Sequence, residues 1–223
     1  MKTSISRKFW MAWTGLFLCL FLTVHLAGNL ALFLPVEDAR PLYNAYSALL
    51  VANPLIKVIS YVLYLNILAH IAVSLVLTIQ NRTARGEQKY SLERSSRTSP
   101  WYARSMGVLG TVLLGFLVIH MKTFWYEYHW GEVGLDENGK KDIYGIVTAA
   151  FTREWYVALY VGCMLALGYH LLHGVSSAFR TIGVYHSHHA LWLERVGMVF
   201  AVVVSAAFAV IPVWMYFATE AAQ

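Results

Sequence analysis

The 223 residues are 58% hydrophobic and only 13% charged, a composition far too apolar for a soluble domain of this length. The chain carries a formal charge of +5, but its charges sit in short loops rather than in a basic patch interleaved with stacking aromatics. Nucleic acid is therefore excluded as a partner, and membrane lipid is expected around most of the surface. Cys19 and Cys163, both inside apolar stretches, are too few for a disulfide framework, a zinc site or an iron–sulfur cluster, and read as small buried hydrophobes.

Five windows approach the length of about 20 apolar residues that carries a helix across about 30 Å of hydrocarbon. The first is expected over 9–34, with His25 inside it and Gly28 and Asn29 a turn further on. No small-residue cleavage site follows a short apolar core, so it reads as a retained helix. A polar connection over 35–53 contains Tyr43, Asn44 and Tyr46, residues suited to a short helix at headgroup level. Pro54 then opens a second span over 55–80, where proline is tolerated in the first turn; His70 lies well inside, one turn after Asn66.

The most hydrophilic stretch, 81–100, sets Arg82, Arg85, Lys89, Arg94 and Arg97 against Glu87 and Glu93. A third span over 101–126 carries His120. It is followed by an acidic loop with Glu127, Glu132, Asp136, Glu137 and Asp142 and a tight turn at 136–140. The fourth span, 153–179, holds two histidines, His170 and His173. A loop with His186, His188 and His189 leads to a fifth span over 190–217, which has no histidine. The whole of 1–223 reads as one integral membrane domain. With the N-terminus in the cytoplasm, eleven of the seventeen basic residues fall inside and nine of the twelve acidic residues outside, as the positive-inside rule requires.

Ionisable residues inside a membrane are expensive and usually have a partner and a task. His25 and His120 each lie roughly 25 Å from the inner edge of their spans, and His70 and His170 roughly 15 Å, at about 1.5 Å per residue. The four histidines thus sort by depth into an outer pair, His25 with His120, and an inner pair, His70 with His170. Haem iron takes axial ligands from opposite faces of the ring, so one pair per depth on four helices is what two bis-histidine haems need. The expected fold is an all-α transmembrane five-helix bundle enclosing two b-type haems. Gly28, Gly115, Gly168 and Gly174 lie near the ligands and would let a flat macrocycle approach, although membrane helix packing favours glycine too. His173, three residues after His170, could face the inner site but cannot share its iron, with a hydrogen bond to a propionate, a quinone or the protein as its open roles. Arg180, with Ser176 and Ser177 nearby, is either a propionate partner or an anchor that snorkels to the headgroups. His129, His186, His188 and His189 read as solvated.

The run of His170, His173, Gly174, Ser176, Ser177, Ala178, Phe179, Arg180 and Gly183 resembles the fourth helix of the cytochrome b membrane anchor of succinate dehydrogenases and fumarate reductases, in the class where one five-helix chain holds two haems. His25 to Asn29 is similar to that family's first ligand helix, and His120 with Phe124 and Trp125 to its third. The resemblance implies a bacterial cytoplasmic membrane, ligand pairs drawn from helices one and three and from two and four, and two further subunits. A flavoprotein subunit would oxidise succinate, and an iron–sulfur subunit would exchange electrons with the inner haem. The outer haem would then serve a quinone, typically menaquinone. Arg82, Arg85, Lys89, Arg94 and Arg97 would offer the iron–sulfur subunit a basic dock. Tyr43 and Asn44 are candidate hydrogen-bond partners for a quinone carbonyl, or ordinary interfacial residues. Some fumarate reductases of this class carry a glutamate for proton movement two residues before the fourth-helix ligand. Gly168 stands there instead, so that path is not expected. Other readings are the cytochrome b of a hydrogenase or formate dehydrogenase, and a transporter whose histidines handle protons.

Overall fold

The computed structural model describes residues 4–85, 100–184 and 190–220. Glu87, Lys89, Glu93, Arg94, Arg97, His186, His188 and His189, named above, lie outside the described residues. Among the described residues five helices are long and apolar enough to cross a membrane: Ile5–Phe33, Pro54–Ala84, Met106–Trp130, Glu154–Thr181 and Ala190–Thr219. The described residues form no strand beyond an isolated bridge between Leu135 and Lys141. The protein is an all-α, multi-pass membrane bundle, since only helices and closed barrels satisfy their backbone groups in hydrocarbon.

Local chemistry sets the helix ends. Asn53 caps the second span, its side-chain Oδ1 accepting from the amides of Leu55 at 2.9 Å and Ile56 at 3.3 Å, while Pro54 fills a position whose amide hydrogen would be unpaired anyway. The fourth span closes at Gly183, whose φ of +83° suits a residue without Cβ. The third span is less regular than its hydropathy suggests. A turn at Ser105 separates Trp101–Arg104 from Met106–His120, and a π-helical segment, Met121–Tyr126, begins directly after His120. Such wide turns are uncommon and concentrate at functional sites.

The fourth span is the centre of the bundle. It contacts the first, third and fifth, and most extensively the fifth. Glycine makes that closeness possible: a Cβ on Gly168 would sit 2.9 Å from Ser205 Oγ, and one on Gly197 3.1 Å from the Val175 side chain. By contrast the second span leaves Leu55, Leu65, Leu68 and Leu75 exposed, as a lipid-facing helix would.

One end of the bundle is capped by protein. The connection expected as a short interfacial helix is Val36–Ala52, and the acidic loop contains a helix, Ile143–Phe151, that its surrounding charges hide from a sequence reading. Asn44, wholly buried, ties the two together. Its Nδ2 donates to Asp136 at 3.1 Å and Asp142 at 3.0 Å, and its Oδ1 accepts from the Tyr144 amide at 2.9 Å. Asp142 caps the short helix through the Gly145 amide and pairs with Arg40. We call this the acidic end. The other, the basic end, carries Arg82, Arg104, Arg180 and Arg195.

Candidate functional site

Four spans each contribute one histidine to a pair, and these four histidines meet two by two. Near the acidic end the rings of His25 and His120 are 5.8 Å apart and almost perpendicular, at 88°. Deeper toward the basic end the rings of His70 and His170 are 6.4 Å apart at 65°. All four rings are half-buried. Two imidazoles on opposite faces of one metal ion put their ring centres about 6.3 Å apart, from metal–nitrogen bonds of about 2.0–2.1 Å and about 1.1 Å from each nitrogen to its ring centre. Both pairs stand near that spacing. Each supplies two donors, so a metal held there takes its remaining ligands from elsewhere, and a porphyrin supplies four. Among the described residues His170 Nδ1 is buried without a hydrogen-bond partner, a cost that a metal bound through Nε2 would leave in place. The donor set and the spacing fit haem.

The surroundings of the two pairs differ. His25 stacks on Phe21 at 5.3 Å and lies 5.7 Å from Phe208, while His120 lies 5.6 Å from Phe116 and 5.1 Å from Phe124. The Nδ1 of His120 is 3.3 Å from the hydroxyl of Tyr160, which is 3.3 Å from that of Tyr156, which in turn is 2.6 Å from Thr123 Oγ1. Thr123 lines a cavity of about 570 Å³ together with Lys122, Glu127, Glu132, Asp142 and Arg153. At the other pair, His70 Nδ1 is 3.0 Å from Thr14 Oγ1, and Asn66, one turn earlier, donates to the Thr14 carbonyl at 3.1 Å. Thr14 and Gly15 of the first span thus form a seat for His70, whose Cε1 would lie 3.5 Å from a Cβ at Gly15.

The remaining expected residues fall as follows. Asn29 donates to the His25 carbonyl at 2.8 Å and accepts from the Tyr43 hydroxyl at 3.0 Å, so it links the first span to the connecting helix. Burial raises the Tyr43 phenol above its ordinary range, so it stays a donor. Gly28 admits the Tyr46 ring, which a Cβ would meet at 2.7 Å. Asn44 has both amide hydrogens and its oxygen engaged by protein groups, the bonding of a structural tie. His173 and Ser177 are half-buried on the fourth span, and Arg180 forms an ion pair with Glu194 at 2.6 Å. His129 is exposed and donates to the Trp125 carbonyl at 2.7 Å. Thr14, Tyr156, Tyr160 and Thr123 were not singled out from sequence, because each acts on a partner in a different span.

Set against models of known protein families, curated proteins and solved structures, the chain finds no match in any of the three.

Proposed function

We propose that the chain is a di-haem cytochrome b, the membrane anchor of a succinate:quinone oxidoreductase of the succinate dehydrogenase and fumarate reductase kind. The observation that carries the reading is the pairing of four histidines from four spans at ring separations of 5.8 and 6.4 Å. His25 and His120 would hold one haem, and His70 and His170 the other. A haem held there would supply one-electron chemistry, its potential set by the residues that hold and surround it.

The chain's own residues bind, orient and shield. Phe21, Phe116, Phe124 and Phe208 exclude water from the acidic-end pair, and the seat at Thr14 and Gly15 holds His70. The basic end faces the cytoplasm in this reading, in keeping with the positive-inside rule, and receives the iron–sulfur subunit, behind which a flavoprotein handles the dicarboxylate. Menaquinone belongs at the acidic end. There the cavity beside Thr123 offers donors from Lys122, Arg153 and Thr123 to a quinone carbonyl, whereas the amide of Asn44 has no hydrogen left to give.

Reduced-minus-oxidised absorption spectra of the purified full chain test the reading. A b-type α band with two haems per chain is expected, and a chain without haem overturns it. Co-purification with a flavoprotein and an iron–sulfur protein tests the assignment to succinate chemistry.

A further inference from the structure

A histidine that binds iron through Nε2 carries its proton on Nδ1, and in a membrane interior that N–H needs an acceptor. Each histidine pair has one ring so provided, and in both cases the acceptor is a hydroxyl from a neighbouring span. Thr14 is buried, at 5% exposure, and its Oγ1 has the Trp10 carbonyl at 2.9 Å and the Met11 carbonyl at 3.1 Å within reach of its single proton. It therefore turns a lone pair toward His70 Nδ1 at 3.0 Å. The carbonyl of the same residue is held by Asn66 from the helix that carries His70, so the hydroxyl is fixed at two points. On the other pair, Tyr160 lies 3.3 Å from His120 Nδ1 and can accept from it while donating its own hydroxyl hydrogen to Tyr156, which faces Thr123 at 2.6 Å. With the hydroxyls ordered in that sense, Tyr160 is the acceptor for His120. His170 has no such partner on Nδ1.

We propose that Thr14 and Tyr160 are the positioning residues of the two haem sites, Thr14 acting through His70 and Tyr160 through His120. The proposal rests on the di-haem reading above. An acceptor on Nδ1–H fixes the ring's tautomer and rotation and makes the bound nitrogen a stronger donor, which favours the oxidised metal. Loss of the hydroxyl therefore raises the midpoint potential of the haem it serves, and only of that one.

The test is spectroelectrochemical titration of the full-length chain in detergent, with the two haems resolved by their α bands. Thr14→Val, close in shape but without the hydroxyl, should shift the haem of His70 and His170 upward and leave the other in place. Tyr160→Phe should do the reverse. Thr14→Ser restores the acceptor and should return the wild-type potential. Loss of the haem in Thr14→Val with retention in Thr14→Ser also supports the proposal, whereas loss in both counts against it. Potentials that do not move, that move together, or that shift equally in Thr14→Ser and Thr14→Val overturn it while leaving the di-haem reading intact. A wild-type chain that binds no haem removes both.

Discussion

The two ends of the bundle hold the same donor set in unlike settings. The acidic-end pair is walled by four phenylalanines and lies beneath a cap in which two extra helices are tied through Asn44 and Asp142. The basic-end pair owes its order to a few polar contacts from Thr14 and Asn66 and to a second span that is largely exposed. Aromatic packing encloses the first site, while the second is held by polar contacts between the first and second spans. The difference teaches that the two pairs should respond separately to damage, and that a group bound at the basic-end site should contribute more to its order.

The largest effect expected is on haem content. His25→Ala and His120→Ala should each take the chain from two haems to one and remove the same spectral component, while His70→Ala and His170→Ala remove the other. Haem stoichiometry with low-temperature spectra reads this directly. If His25→Ala and His70→Ala remove the same component, the pairing is wrong. The consequences for the fold should be unequal as well. If a haem shared by His70 and His170 ties the second span to the fourth, hydrogen exchange over Pro54–Arg85 should accelerate in His170→Ala, whereas His120→Ala should leave the capped acidic end nearly unchanged. Equal acceleration in both variants would erase the contrast between the ends.

A smaller effect probes the cap. Asn44→Ala leaves the Tyr144 amide without its acceptor and withdraws two hydrogen bonds from Asp136 and Asp142. An unpaired buried amide costs about 1–3 kcal/mol. The melting temperature should fall by an amount in keeping with that figure, with the loss confined to the acidic end. Haem spectra that change at the basic-end component instead would show that the cap does not act locally.

Much of the fold was legible in hydropathy. Five apolar stretches of spanning length set the five helices to within a few residues, because lipid forces each to satisfy its backbone internally. The meeting of His25 with His120 and of His70 with His170 followed from depth alone, since helices that cross one bilayer share a common ruler. What escaped is what has no local period. Ile143–Phe151 is too short to span and sits among charges, so its apolar face was lost in an acidic loop. Thr14 serves a histidine 56 residues away and Tyr160 one 40 residues away, and no spacing rule links residues on different helices. Asn44 looked like an interfacial residue because tyrosines flank it; only the return of Asp136, Asp142 and Tyr144 to its side reveals a buried tie. The absence of a glutamate at Gly168 was visible, yet its physical reason, the Ser205 hydroxyl packed against it, was not.

The gentlest perturbation is acid, and its sign is fixed by the cap. Burial alone would raise the Asp142 carboxyl, but hydrogen bonds from Arg40, Asn44 and the Gly145 amide outweigh it and hold the group below the usual carboxylate range. Asp136 is lowered too, chiefly by the Lys140 amide, with Asn44 contributing. A carboxyl whose folded value lies below its unfolded one adds stability above the unfolded value, about 4, and loses it as pH falls through the folded value. The acidic end should therefore loosen only below about pH 4, seen as faster hydrogen exchange over Ile143–Phe151, while the Thr14 seat, which has no carboxylate, keeps its protection. Asp142→Asn retains an N-cap side chain and should cost no more than about 1 kcal/mol at neutral pH, given a partly exposed Arg40 partner. It should also flatten most of the acid response. If the full response survives in Asp142→Asn, Asp136 carries it, and the hinge of the cap lies at the Asp136 turn rather than at the helix start.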